Sequence, residues 1–160
     1  MTSRPENEAV LAFLEMEQLP EWKETDSPWI VEGYSLHTHP DLCERVENIN
    51  AAAAGGTEFR YLYGKPALIA ANGVIVAFAT GTHTFCVRLR REECMDELVA
   101  ARNEKLSRFP VLRMKQLELD ALTSGEWTRL DPWAIAYPSD EGVALLAEHV
   151  AKAERKARSS

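Results

Sequence analysis

The chain predicts an α+β domain: a meander of three to five antiparallel strands with helices packed on it. Two observations carry this. Apolar residues recur at helical spacing in 40–54 and again in 140–156. Between those segments, from about residue 58 to residue 89, short β-branched and aromatic runs follow one another with turn residues between them. The order is helix, strand, helix, meander, helix, short strands, helix, which is that of helices layered on an antiparallel sheet.

Each element has its own warrant. In 5–19, Val10, Leu11, Phe13 and Leu14 share a helical face and Pro20 ends the run. "WIVEGYSL" reads as a short strand within a loop region that holds Trp22 and Trp29. Pro40 suits the first position of the next helix, where no amide donor is needed, and Asp41 and Glu44 favour its positive end. Leu42, Val46, Ile49 and Ala53 form its stripe, and Gly55-Gly56 stops it. "EFRYLYG" alternates. "PALIAA" and "VIVAFA" flank Asn72-Gly73, which predicts a two-residue hairpin turn with positive φ at both positions. "HTFCVRLR" is the next strand. A helix is expected over 92–106, with Met95, Leu98, Val99, Arg102 and Leu106 on one face. Residues 109–123 are open between strand and helix. "EWTRLDPWAIAYP" gives one or two strands that turn at Asp131-Pro132. Ser139 caps a last helix whose stripe is Val143, Leu146, Ala147, Val150 and Ala151, and residues from about 155 to 160 read as a charged tail.

A length of 160 residues fits one domain. With 18 Lys and Arg against 25 Asp and Glu, the net charge is −7, which disfavours nonspecific attraction to nucleic acid or an anionic membrane. The odd cysteines, Cys43, Cys86 and Cys94, have no Cys-x-x-Cys spacing and suit reduced thiols in a cytoplasm. The N-terminal residues lack the apolar run of a signal peptide, and the longest apolar runs are too short to span a bilayer. A cytoplasmic protein that does not enter a membrane is expected.

"GYSLHTHPD" raises the question of metal. Two histidines two apart on a strand, His37 and His39, face the same way and could reach one ion. The stretch resembles the His-x-His-Pro element of JAMM metalloproteases. That resemblance implies a zinc site completed by a Ser-x-x-Asp element and served by an upstream Glu. Here Glu47 and Asn50 stand at the matching spacing, and Glu32 lies only five residues before His37. A catalytic zinc needs three protein ligands and an open position. The third is missing, so the expectation is no metal, with Thr38 or His39 capping the helix that starts at Pro40.

Other chemistry is thin. Cys86 lies near Arg88, Arg90 and Arg91, which could activate a thiol, but a small apolar residue in a half-buried strand is the preferred reading, since no His-Asn/Asp pattern supports a nucleophile. The basic concentrations are "RLRR" and Arg102, Lys105, Arg108, Arg113 and Lys115, with Glu92, Glu93, Asp96, Glu97 and Glu104 interleaved. There is no phosphate loop, dinucleotide fingerprint or nucleophile elbow, and the sequence asks for no cofactor.

From Lys65 to about Ala153 the layout resembles small bacterial domains of the TfoX N-terminal and YjbR-like kind. The pieces are "YGKPALIAANGVIVAFATGTHTFCVRLR", a helix from Glu92, "EWTRLDPWAIAYP" and a helix from Asp140. The resemblance implies a binding or regulatory module without catalytic residues, with protein or nucleic acid as suspected partner. The expected function is therefore non-catalytic binding of a protein or small ligand, with Arg88, Arg90, Arg91, Trp127 and Trp133 as the binding residues. The alternatives are a metal-dependent hydrolase on His37 and His39, and a weak nucleic-acid binder on the three arginines.

Overall fold

The computed structural model describes residues 4–16, 38, 40–53, 55–80, 84–100, 119–133 and 141–159. A 3₁₀ turn at Pro5–Asn7 leads into helix α1, Glu8–Met16. Helix α2 is Pro40–Ala52, beginning on the proline as its fixed φ suggests. Five strands follow: β1 Thr57–Leu62, β2 Lys65–Ala70, β3 Ile75–Thr80, β4 Thr84–Val87 and β5 Thr128–Leu130. They form one antiparallel sheet in the order β1-β2-β3-β4-β5. Helix α3, Glu141–Arg158, closes the chain. The α+β class and the meander are as the sequence predicts.

Both faces of the sheet are covered. On one, Leu42, Val46 and Ile49 of α2 and Leu146 and Val150 of α3 pack on Leu68, Ala79, Phe85, Val87 and Leu130. On the other, Val10, Phe13 and Leu14 of α1 pack with Leu119 and Trp127 on Ala67, Ile69, Ile75, Phe78 and Cys86. A strand buried on both faces gains nothing from polar alternation. This is why β2 and β3 are continuous apolar runs. Their pairing passes from Leu68 opposite Ala77 to Ile69 opposite Ile75, so Val76 is an extra residue, a β-bulge. Val76 and Ala77 consequently both enter the α2/α3 core.

The turns differ from expectation in an informative way. The two-residue turn with positive φ at both positions lies at Tyr63 (52°) and Gly64 (81°), between β1 and β2. At 71–73 the loop has three residues. Gly73 N–H donates to the Ala70 carbonyl, Ala70 N–H donates to Val74, and only Gly73 has positive φ (90°). This is a tight turn followed by a left-handed glycine, the next commonest hairpin solution.

Two further expectations are corrected. Residues 92–100 are not an α-helix. They form 3₁₀ turns at Arg91–Glu93 and Asp96–Leu98, after which Val99 bridges to Leu130. Ala100 N–H donates to Arg129 and Asp131 N–H to Leu98, so β5 draws this segment into the sheet's hydrogen bonding. Met95 is exposed while Leu98 is buried, so the two do not share one helical face. The charged end is not a tail either. α3 runs to Arg158 and Ala157 is buried, because small residues at 153 and 157 continue its packed stripe. The strand expected in "WIVEGYSL", the 101–106 part of the expected helix, and the Ser139 cap lie outside the described residues.

Candidate functional site

Arg88 leaves the end of β4 and is buried, the reverse of a solvated base. Its Nε donates to the Ile75 carbonyl (2.7 Å), Nη2 to the Glu6 carbonyl (3.1 Å), and Nη1 pairs with Glu126 (3.2 Å). The guanidinium lies 4.6 Å from the ring centroid of Trp127, a cation–π stack. Trp127 is itself buried, its ring 5.2 Å from that of Phe78. Burial lowers the Arg88 pKa, against the opposing pull of Glu126. The structure therefore brings two expected binding residues together, but as a clamp inside the fold. Planar Arg suits the task because one rigid fork serves three acceptors and one ring face.

Arg90 and Arg91 emerge where the clamp ends. With Glu92 and residues 123–126 they line an open cleft of about 400 Å³. Arg91 pairs with Asp96 at 2.7 Å in solvent, a contact worth little by itself. Arg90 is exposed and its guanidinium forms no ion pair among the described residues. Its backbone N–H donates to Glu93 (2.9 Å), which fixes the turn that carries it. Thr123 and Ser124 on the opposite wall donate back to the Leu119 and Ala121 carbonyls, leaving hydroxyl lone pairs only. Within this lining Arg90 alone offers an anion an exposed cation without an ion pair among the described residues, while Glu92, Glu126 and the two hydroxyls present acceptors.

Trp133 is not part of this cleft. It is half-buried against the α2/α3 core, with the Arg45 guanidinium 5.3 Å above its ring and Arg45 Nε donating to Pro132. Cys86 is fully buried, and burial pushes its thiol up to about 12 despite Arg129 nearby. An unionised thiol without solvent access is inert. His37, His39, His83 and the cluster from Arg102 to Lys115 lie outside the described residues. Thr38 is buried and its hydroxyl reaches the Ala79 carbonyl (3.5 Å), tying the approach to α2 to β3. Among the described residues no three His, Cys, Asp or Glu side chains gather as a metal site. No described helix is long and apolar enough to cross a membrane.

Sequence reasoning missed the polar groups on α3. His149 and Glu154 are both buried on its packed face. The signal was present: Leu146, Val150 and Glu154 fall at spacings of four, so Glu154 continues the apolar stripe.

Comparison with protein-family models, with curated proteins and with solved structures finds no match for this chain.

Proposed function

We propose that the chain is a non-catalytic binding module, as its resemblance to TfoX N-terminal and YjbR-like domains implies, and that it takes a protein or small ligand through an acidic group at Arg90. The observation that supports this is the contrast between neighbouring arginines. Arg88 is spent on three acceptors and a ring, while Arg90, two residues on, stands exposed on a cleft with no ion pair among the described residues. The clamp two residues before Arg90 fixes the backbone that carries it, so less freedom is lost when a ligand binds there.

Nuclear magnetic resonance titration with a short Asp-rich peptide tests the proposal. The amides of Arg90, Arg91, Ser124 and Gly125 should shift together, and Arg90→Ala should abolish the response without loss of fold. A response elsewhere, or one unchanged in the variant, removes the reading. Retention on DNA that weakens with salt and depends on Arg90 would instead favour nucleic acid, each phosphate neutralised adding about −0.9 to the salt slope.

A further inference from the structure

We propose that a second cleft, between the Gly55-Gly56 turn and α3, binds a small zwitterion, namely a free α-amino acid with an aliphatic side chain. It measures about 550 Å³ and is floored by small apolar residues that include Ala53, Ala71 and Val150. Glu154 stands in its wall with a side chain only 7% exposed. One carboxylate oxygen, Oε1, is taken by Arg158 Nε at 2.6 Å. The other, Oε2, accepts no hydrogen bond among the described residues and is not sealed from solvent, so a ligand in the cleft can reach it.

The backbone is shaped around this group. A Cβ on Gly56 would come within 3.1 Å of Glu154 Cδ and 3.2 Å of Oε2. Gly55 takes φ +86°, which brings the chain back towards α3 after α2 ends. On the rim, Arg155 is exposed and unpaired among the described residues. Arg158 is held by its Nε, so its two Nη groups remain available. One open carboxylate oxygen beside two guanidinium groups is the complement of an ammonium and a carboxylate on one carbon. The ammonium meets Glu154 Oε2, the carboxylate meets Arg155 and Arg158, and a short aliphatic side chain covers Ala53, Ala71 and Val150. A plain anion would leave Oε2 unanswered, and a plain amine would leave Arg155 unanswered.

The test uses the whole chain, with L-valine as probe and acetate and isobutylamine as its two halves. L-valine should shift the Gly55, Gly56 and Thr57 amides with a millimolar dissociation constant, and each half should bind at least about tenfold more weakly. Glu154→Gln, which keeps the shape, should weaken L-valine about tenfold and leave acetate unchanged. Arg155→Ala should weaken both L-valine and acetate. The proposal is overturned if these amides do not move at about 50 mM L-valine, a limit set by the weakest useful affinity, or if the Glu154→Gln variant binds L-valine as the parent does. Should Glu154→Gln not fold, the exposed Arg155→Ala variant decides, and unchanged affinity there also overturns the proposal.

Discussion

The side-chain amide of Asn72, in the loop between β2 and β3, donates to the carbonyl of Ala157 in the last turn of α3, at 3.0 Å. Its oxygen accepts from Val74 N–H (3.2 Å), so one side chain closes the hairpin and caps a helix 85 residues away. The N-terminal turn grips the same loop. Asn7 Nδ2 donates to Gly73, Asn7 Oδ1 accepts from Ile75, and Arg4 Nη1 reaches the Asn72 carbonyl. Both ends of the described chain are thus fastened to one hairpin.

Asn72→Ala removes both of its hydrogen bonds, one of them at a helix C-terminus. It should cost about 1–2 kcal/mol in urea unfolding. Asn72→Asp keeps the acceptor but sets a negative charge against the negative end of α3, so it should be no more stable than the alanine variant. An Asp variant as stable as the parent would show that the Ala157 contact contributes nothing.

Gly73 is the residue in this loop that needs the left-handed region, at φ +90°. Gly73→Val should destabilise by about 1 kcal/mol or more through backbone strain alone. Asn72→Val, whose φ is not positive, should lose only its side-chain bonds. Equal chevron shifts for the two valine variants would contradict the three-residue assignment.

The stretch from α2 to β4 was legible because its signals are local. The Leu42–Val46–Ile49 stripe, the Gly55 stop and the apolar runs of β2 and β3 all follow from nearest-neighbour geometry. Residues 92–100 were not, because Leu98 and Val99 suit a helix face as well as they suit their actual place beside β5. The deciding hydrogen bonds, Asp131 to Leu98 and Ala100 to Arg129, come from about 30 residues away. The site failed for the same reason. Nothing near Arg88 in sequence announces that Ile75, Glu6 and Trp127 consume it. By contrast, Arg90, exposed and without an ion pair among the described residues, could be named a candidate from its local sequence alone.

Arg88→Met should cost about 3 kcal/mol. The Ile75 and Glu6 carbonyls lose their donor in a buried setting, while Glu126, largely exposed, returns to water at little cost. Arg88→Lys should recover only part of this, because a single ammonium cannot serve three acceptors and stack on Trp127. Trp127 fluorescence should report the lost stack in both. Full stability of the lysine variant would mean that charge, not fork geometry, is what the site uses.

Cys86 links stability to alkaline pH. Its folded-state pKa is raised from 9.0 to about 12 by complete burial. The raised value means that the folded state holds its proton longer than the unfolded chain does. The stability so conferred is fully present below pH 9 and is lost as pH climbs from 9 towards 12. At pH 10 the loss is on the order of 1 kcal/mol. Cys86→Ala should flatten this part of the urea-midpoint profile, and Cys86 in the parent should resist thiol reagents unless the chain unfolds. Rapid labelling of folded protein at Cys86 would contradict its burial.

The last prediction concerns His149, buried on α3 beneath the loop that carries Met95. Nδ1 lies 2.8 Å from the Leu145 carbonyl, and Nε2 lies 3.1 Å from Met95 N. A carbonyl offers only lone pairs and a backbone N–H only a hydrogen, so the hydrogen sits on Nδ1 and Nε2 accepts. The imidazole is therefore the bridge between the turn of a helix and the backbone of residues 94–96. The same loop is also held by Lys152, which donates to the Glu93 carbonyl (3.0 Å), and by Lys156, which pairs with the Glu93 carboxylate (2.6 Å). Lys156 holds that carboxyl below its ordinary range. These lysine contacts are at the surface and should yield to salt, whereas the His149 bridge should not. His149→Phe fills the space but leaves Met95 N–H without its acceptor, so the variant should lose about 1–3 kcal/mol. Hydrogen exchange at the Met95 amide should quicken in His149→Phe at any ionic strength. Exchange that quickens only when salt is added, with or without the substitution, would assign the loop's anchorage to the lysines instead.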